Sequence, residues 1–364
     1  MKILSVIRTM NLSHGGPPEV LRNQIDYINS KKTIVQVLKL NSLSFFYLFK
    51  ILFIKSYRLR FYKFIKKIDI IHFHEIWSLK IIIIIYLANK LLIKHFFVGH
   101  GYLDEWSLKQ KPLKKILFKF FFLGRAIKSS SAFFSSTKKE YIDVKKNFKI
   151  NNPFIIPNGI NIDQFDKRTL EYKKIKKILF FGRIHEKKGL KLLIDSINSL
   201  PSSYFDNFSF EITGPGLIDD FKKIQKLISR YSLNKKILVN PPIVRKEKFQ
   251  YLKKFDIFVL PSYEEGDSIA LKEALASYMP VIISKQCRLN IVEEYEAGIE
   301  IETNKKSLLN GLMKLQELDL IKMGYNARKL IEEKYDNKIC SQRLLNVYED
   351  LFNETRVSED WVKD

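Results

Sequence analysis

The stretch that decides the fold reads Pro261-Ser262-Tyr263-Glu264-Glu265-Gly266-Asp267-Ser268-Ile269-Ala270-Leu271-Lys272-Glu273-Ala274-Leu275-Ala276. An apolar run over 255–260 precedes it and predicts a buried parallel strand, and a second run over 281–284 predicts the next strand. Pro261 and Gly266 indicate a loop. Asp267 or Ser268 is placed to cap a helix that begins at Ile269. The order strand, loop, helix, strand is typical of an α/β fold.

Two carboxylates stand near the junction of this loop and helix, Glu265 on the loop and Glu273 eight positions further along. The free backbone N–H groups of a helix N-terminus favour an anion such as phosphate. Carboxylates beside them would repel a phosphate, so we expect both acids to contact neutral groups, and sugar hydroxyls fit. The alternative is a capped surface helix with two solvated acids.

A basic loop, 182–189, follows the predicted strand 178–181 and precedes a predicted helix over 190–200. Arg183 offers a planar fork of donors and Lys188 a point charge, which together predict a cradle for a diphosphate. The alternative is a solvated basic loop. Further along, Gly214-Pro215-Gly216 ends the predicted strand 208–213 in a bend where a planar base can lie against the backbone.

The first half of the chain carries similar signals. Strand 2–7, a loop with Gly15-Gly16 and a helix over 19–29 predict a turn in which backbone N–H groups approach an anion. His100 stands between two glycines at the end of a predicted strand, where open α/β sheets bind ligands. A capping or core histidine is the alternative. His72 and His74 share one strand face, but no third ligand is near them in sequence, so no metal is expected.

These motifs resemble the E-x7-E signature and the Gly-Arg…Lys-Gly element of the family-4 glycosyltransferases. The resemblance implies that Glu265 holds donor-sugar hydroxyls, that Glu273 holds the ribose, and that His100 reaches the donor sugar. It also implies that Arg183 and Lys188 face the diphosphate. Further donor contacts fall on the loop residues Gly15, Gly16, Gly214, Gly216, Gly266, Asp267, Ser268 and Ile269. The chain has Gly266-Asp267-Ser268 where the family usually has Gly-Phe-Gly, which leaves the donor sugar open.

The implied fold is α/β, with two Rossmann-like domains facing across a cleft (GT-B) and a last helix crossing back to the first domain. A chain of 364 residues is too long for one ordinary domain. We expect an N-terminal acceptor domain over 1–165, joined by the C-terminal helix at about 341–364. A nucleotide-sugar donor domain is expected over 172–340.

Charge and composition bear on partners. Lys and Arg number 63 against 39 Asp and Glu, a net charge of +24. Aromatic and basic residues interleave over 45–64, which predicts an amphipathic surface for an anionic membrane; the alternative is compositional bias in ordinary core helices. No zinc spacing or RNA-binding aromatic motif occurs, so no nucleic-acid partner is expected.

The cellular location follows from a few further signals. The apolar run 81–92 is too short to span a bilayer and predicts a buried helix. Cys287 and Cys340 form no recognisable spacing, which favours a reducing compartment. No signal peptide is recognised. The protein is therefore expected in the cytoplasm, peripheral on the inner face of the cytoplasmic membrane.

The resemblance implies a retaining transferase that moves a hexose-type sugar from a nucleotide diphosphate sugar to a glycan or lipid-linked saccharide. Cell-surface polysaccharide biosynthesis, including lipopolysaccharide, is the expected setting. No Asp-x-Asp triplet occurs, so we expect no metal and no cofactor beyond the donor itself. Front-side transfer, in which the departing phosphate helps to take the acceptor proton, is the hypothesis. A nucleotide-sugar epimerase on the same fold and a non-catalytic membrane-surface protein remain as alternatives.

Overall fold

The computed structural model describes residues 1–11, 16–103, 107–108, 112–243 and 245–353, with only the backbone at 245 and 246. The chain forms two compact units. Unit 1 contains Met1–Gly159 and the segment from Asn337 onward, and unit 2 contains Ile160–Asp336. Gly15, which the resemblance places near the donor, lies outside the described residues.

Unit 1 is built on a six-stranded parallel sheet in the order β2-β1-β3-β4-β5-β6. Its strands are β1 (Lys2–Ile7), β2 (Ile34–Lys39), β3 (Ile70–Phe73), β4 (Lys94–Val98), β5 (Ala132–Ser135) and β6 (Pro153–Ile155). All four residues of both β3 and β5 are buried, as expected for a parallel sheet covered on both faces.

Helices cover the sheet of unit 1. They are α1 (Gly16–Asn29), α2 (Phe45–Phe53), α3 (Lys55–Ile65), α4 (Leu79–Lys90), α5 (Pro112–Phe118), α6 (Gly124–Lys128), α7 (Lys138–Asn147) and α15 (Asn337–Asn353). A π-helical turn, Lys119–Leu123, joins α5 to α6. Helix α4 buries Ile81, Ile84 and Ile85, which confirms the predicted buried helix. Among the described residues, no helix is both long enough and apolar enough to cross a membrane.

Unit 2 repeats the plan with a parallel sheet in the order β12-β11-β10-β7-β8-β9. Its strands are β7 (Lys176–Phe181), β8 (Phe208–Thr213), β9 (Ile237–Asn240), β10 (Ile257–Leu260), β11 (Val281–Ser284) and β12 (Gly298–Ile301). Its helices are α8 (Leu190–Ile197), α9 (Ile218–Arg230), α10 (Arg245–Leu252), α11 (Ile269–Ala276), α12 (Ile291–Glu294), α13 (Lys305–Lys314) and α14 (Leu320–Leu330). One large apolar core fills this unit.

The last helix, α15, belongs to unit 1. Leu344, Leu345 and Tyr348 on this helix pack into the core beside β1, β3 and β4. The Tyr27 hydroxyl donates to Gln342 Oε1 at 2.8 Å, which fixes α15 against α1. The chain therefore leaves unit 1 after Gly159 and returns to it at Asn337, as the sequence predicts for a helix that crosses back.

Candidate functional site

The strongest candidate site lies at the carboxyl edge of the unit 2 sheet. Strand order reverses between the neighbours β7 and β10, because β8 and β9 continue to one side and β11 and β12 to the other. Ligands of open α/β sheets bind at such a reversal, outside the carboxyl ends of the strands. The loop 182–189 after β7 and the loop 261–268 after β10 flank this point, and they carry the motifs that the sequence singles out.

Glycines let these loops approach each other. Gly189 has φ +70°, and a Cβ there would lie 2.0 Å from the carbonyl oxygen of Pro261. Gly214 has φ +150°, and its Cβ would lie 1.8 Å from the carbonyl oxygen of Gly182. The Tyr263 N–H donates to the Lys187 carbonyl at 2.9 Å. The predicted glycines thus hold the loops after β7, β8 and β10 in backbone contact at one edge of the sheet.

Lys188 and Glu265 meet across the two central loops. Lys188 Nζ lies 2.5 Å from Glu265 Oε1, with 20% and 8% of the two side chains exposed. The Ser262 hydroxyl donates to the same carboxylate oxygen at 2.6 Å, and the Glu265 N–H donates to the Gln286 carbonyl at 3.1 Å. The sequence analysis predicted that Glu265 contacts neutral hydroxyls. In the structure its carboxylate is held by Lys188 and Ser262, and Oε1 makes both contacts.

Arg183 differs from Lys188 in being exposed. Within the described part of the chain, no carboxylate forms an ion pair with it. Its guanidinium is therefore available to a phosphate at the end of β7, whereas Lys188 would share its charge between Glu265 and a ligand. The nearby Gly216 lies against Ile184, whose N–H donates to the Pro215 carbonyl at 2.7 Å.

Glu273 lies in the second turn of α11 and is buried. It forms an ion pair with Lys248 of α10, and 9% of the lysine side chain and 5% of the glutamate side chain are exposed. Lys248 was not predicted as part of the site, because nothing in the local pattern of α10 separates it from solvated lysines. Because Glu273 is buried in this ion pair, the alternative of a surface helix with two solvated acids is wrong for this residue.

A second unpredicted ion pair involves Asp267, which stands where the resembled family usually has an apolar residue. Asp267 Oδ1 lies 2.6 Å from Lys272 Nζ, with 6% and 1% of the side chains exposed. The Lys272 ammonium also lies 4.1 Å from the ring centroid of Tyr335. Ser268, next to the pair, caps α11 by accepting from the Leu271 N–H at 3.4 Å. Gly266 lies in the loop before it, and Ile269 begins the helix and packs on the core.

A second cluster lies in unit 1, around His100. This residue has φ +45°, between Gly99 and Gly101, and its Nε2 lies 3.1 Å from His74 Nδ1. The centroids of the His72 and His74 rings lie 3.9 Å apart, with the ring planes tilted by 34°. The sequence analysis named all three histidines, but it did not place His100, which follows the next strand, β4, beside His74. In the portion of the chain described, no group of three His, Cys, Asp or Glu side chains is arranged to hold a metal.

The histidines of this cluster are held neutral. Burial lowers the pKa of His100 to about 4. Burial, followed by the neighbouring imidazoles, lowers the pKa of His74 well below its ordinary value, and His72 shifts the same way for the same reasons. His72 Nδ1 also lies 2.7 Å from the Tyr348 hydroxyl of α15. Neutral imidazoles can donate or accept hydrogen bonds but supply no positive charge for a phosphate.

Glu140, which the sequence did not single out, fixes the His100 loop. Its carboxylate accepts from the Gly101 N–H at 2.6 Å and from the Ser136 N–H at 2.7 Å. A Cβ at Gly99 would lie 2.2 Å from Glu140 Oε1. Gly16, the described member of the predicted glycine pair, is the first residue of α1. The site residues of unit 1 thus also follow the carboxyl ends of their strands.

Two parallel-sheet units with a returning C-terminal helix and polar loops at the carboxyl edges define a two-domain α/β fold of the GT-B type. Two family models match: Glycosyl transferases group 1 over residues 161–330, and Glycosyltransferase Family 4 over residues 12–164. The chain belongs to this family, the group 1, family 4 glycosyltransferases, which confirms the predicted fold and family.

The relatives and solved structures agree with this assignment. An uncharacterized glycosyltransferase from Methanocaldococcus jannaschii is 25% identical over 78% of this chain and 76% of its own length. The poly(ribitol-phosphate) alpha-N-acetylglucosaminyltransferase of Staphylococcus aureus is 26% identical over 58% of this chain and 42% of its own. Anabaena HepE, solved with UDP-glucose, is similar in fold with a TM-score of 0.75 and 14% identity, over 96% of this chain and 100% of that one. Other similar proteins act in capsular polysaccharide and lipopolysaccharide biosynthesis.

Proposed function

We propose that the protein is a retaining hexosyltransferase that uses a nucleotide diphosphate sugar and acts without a metal ion. Its acceptor is a glycan or lipid-linked saccharide of cell-surface polysaccharide biosynthesis. The observation that carries the proposal is the Lys188–Glu265 pair beside the exposed Arg183, at the carboxyl edge where strand order reverses. The names of the similar proteins, which include polymer-modifying and lipopolysaccharide enzymes, support the choice of acceptor.

The proposed mechanism divides the charges between two tasks. Arg183 and Lys188 neutralise the diphosphate as the bond between the anomeric carbon and the phosphate oxygen breaks, which stabilises the developing charge. Glu265 orients donor-sugar hydroxyls through the oxygen that neither Lys188 nor Ser262 contacts. The acceptor oxygen forms its bond to the anomeric carbon on the face that the phosphate leaves, and its proton passes to the departing phosphate.

Glu273 is proposed to hold the ribose, and His100 the donor sugar. A neutral His100 suits the second role, because an imidazole without charge can exchange hydrogen bonds with a hydroxyl at neutral pH. The bend at Gly214 and Gly216 is proposed to receive the base. Further donor contacts are proposed at the N-terminus of α11, from Gly266, Asp267, Ser268 and Ile269. The buried Asp267–Lys272 pair makes this part of the site polar.

The first test is the loss of Lys188. Charge-assisted contacts contribute about 1.5–3 kcal/mol each, so Lys188→Ala is expected to slow transfer roughly tenfold to a hundredfold or more. Lys191→Ala is the matched control, because Lys191 is 75% exposed on α8 and pairs only at the surface with Asp195. Donors for the assay are chosen by a thermal-shift panel of nucleotide sugars, since a bound ligand raises the melting temperature.

Wild-type turnover in Lys188→Ala, with the melting temperature unchanged, would remove this lysine from the mechanism. NMR of the product reports the anomeric configuration, and an inverted product would contradict the front-side route. Incubation with the donor alone separates the epimerase alternative, because an epimerase would yield a new nucleotide sugar without any acceptor.

A further inference from the structure

Unit 1 exposes a large apolar surface on two segments. The first, α2 and α3, buries Leu48, Ile51 and Phe61 but leaves Phe46 and Phe53 each 68% exposed. The second is α5 and the π-helical turn after it, which lie outside the interleaved aromatic and basic stretch 45–64. The side chains exposed on the two segments, here called the aromatic surface, are Phe45, Phe46, Phe49, Phe53, Ile54, Leu59, Phe64, Leu113, Ile116, Leu117, Phe120, Phe121 and Phe122. Contiguous apolar exposure on this scale marks an interaction site.

The start of α4 connects the two segments into one surface. Lys80 Nζ lies 5.2 Å from the ring centroid of Phe45 in the first segment. The Trp77 ring lies 5.8 Å from that of Phe118 in the second. Leu79, between Trp77 and Lys80, is itself 44% exposed. Both segments therefore flank the same turn of chain after β3.

Basic side chains are interleaved with these aromatic residues, and acidic side chains are missing from both segments. No Asp or Glu occurs between Asp26 and Asp69, or between Glu105 and Glu140. The lysines and arginines of the two segments are Lys50, Lys55, Arg58, Arg60, Lys63, Lys114, Lys115 and Lys119. One of them, Lys50, lies 4.4 Å from the Phe46 ring centroid.

We propose that the aromatic surface lies on an anionic phospholipid bilayer, with the phenylalanines in the interface and the lysines and arginines at the lipid phosphates. Aromatic residues beside cations are what such an interface binds. A second copy of this chain fits the surface less well, because it would bring two sets of basic residues together without acids between them. Membrane attachment of this kind needs no helix that crosses the bilayer.

The surface borders the His100 cluster within unit 1. The Trp77 indole N–H donates to the Tyr102 carbonyl at 3.1 Å, and these two residues follow His74 and His100 by three and two positions. A saccharide anchored in the same lipid layer would thus be presented beside this loop. That second step rests on the proposed transferase function, whereas the membrane contact itself does not.

Vesicle flotation of the full chain tests the proposal. Vesicles of phosphatidylcholine are compared with vesicles that also contain phosphatidylglycerol. We expect flotation only with the anionic vesicles, weakened by added salt.

Two double variants, Phe46→Ser with Phe53→Ser and Phe120→Ser with Phe121→Ser, are each expected to lower the bound fraction at least tenfold. Leu217→Ser with Ile218→Ser is the matched control, because these side chains are 72% and 74% exposed on unit 2 and should leave binding unchanged.

Equal flotation with neutral vesicles, or wild-type flotation of both phenylalanine variants, would overturn the proposal. So would a concentration-dependent dimer that the phenylalanine variants abolish, if no vesicle binding accompanies it. The wild-type lipid and salt dependence decides the matter even if a variant folds poorly. Nucleotide-sugar thermal shifts are measured on the same samples: shifts without flotation reject the membrane contact alone, and flotation without shifts rejects the transferase function alone.

Discussion

The Glu273–Lys248 pair offers the sharpest perturbation, because it joins a proposed ligand contact to a measurable stability. Glu273→Ala removes a carboxylate of which 5% is exposed and leaves the ammonium of Lys248, 9% exposed, without that partner. Removing one member of a buried ion pair costs about 3–5 kcal/mol. A domain is stable by only about 5–15 kcal/mol, so unit 2 should remain folded but with a reduced margin.

The size of the effect follows from the length of unit 2, Ile160–Asp336. For a domain of this size each kcal/mol shifts the melting temperature by about 2–4 °C, so Glu273→Ala should melt about 6–20 °C below wild type. If Glu273 holds ribose hydroxyls, the variant also loses charge-assisted hydrogen bonds of about 1.5–3 kcal/mol. Nucleotide affinity should then fall roughly tenfold to a hundredfold.

Two companion variants separate these effects. Lys248→Met keeps the carboxylate, so it should lose a similar amount of stability while nucleotide affinity stays within a few-fold of wild type. Lys248→Met with Glu273→Leu removes both charges and should regain most of the stability, because apolar replacement of a buried pair is often neutral. Its affinity should stay low. Calorimetry showing wild-type affinity in the double variant would refute the ribose assignment, since only the stability effect would then remain.

Two further predictions concern the loops and the histidines. Gly189→Ala should destabilise unit 2 and weaken donor binding, because the new Cβ would meet the Pro261 carbonyl where the loops that carry Lys188 and Glu265 touch. Gly124→Ala, within a helical segment of unit 1, is the control for thermal melts and titrations. Stability should fall as the pH drops from about 6.5 to 4, because the unfolded chain protonates His100 at its ordinary pKa while burial holds the folded pKa at about 4. His100→Asn, which tolerates the positive φ, should make that acid limb less steep in melts recorded across the range, with His72 and His74 supplying the remaining slope; an unchanged slope would contradict the assignment.

The sequence predicted the strands well because buried parallel strands are continuous apolar runs, as at 208–213 and 281–284, both of which the structure reproduces. The loop glycines were predictable for a related reason, since positive φ and close backbone contact leave few alternatives. The partners of the acids were not predictable. Lys248 lies on a helix that carries three other charged residues, Arg245, Lys246 and Glu247. Lys272 looks like any helix-surface lysine, yet tertiary packing buries both.

The lysine partners, of which Lys248 and Lys272 were unpredicted, change what the acids do. Glu265, Glu273 and Asp267 each hold a lysine, namely Lys188, Lys248 and Lys272. Lysine carries a flexible four-carbon stem, so an unpaired Lys188 ammonium would have to be ordered when the diphosphate arrives. Pairing orders it beforehand, and a cation that is already in place stabilises developing charge at no cost of reorganisation. The carboxylates therefore position cations, and we expect Glu265 to contact sugar hydroxyls through the oxygen that neither Lys188 nor Ser262 contacts.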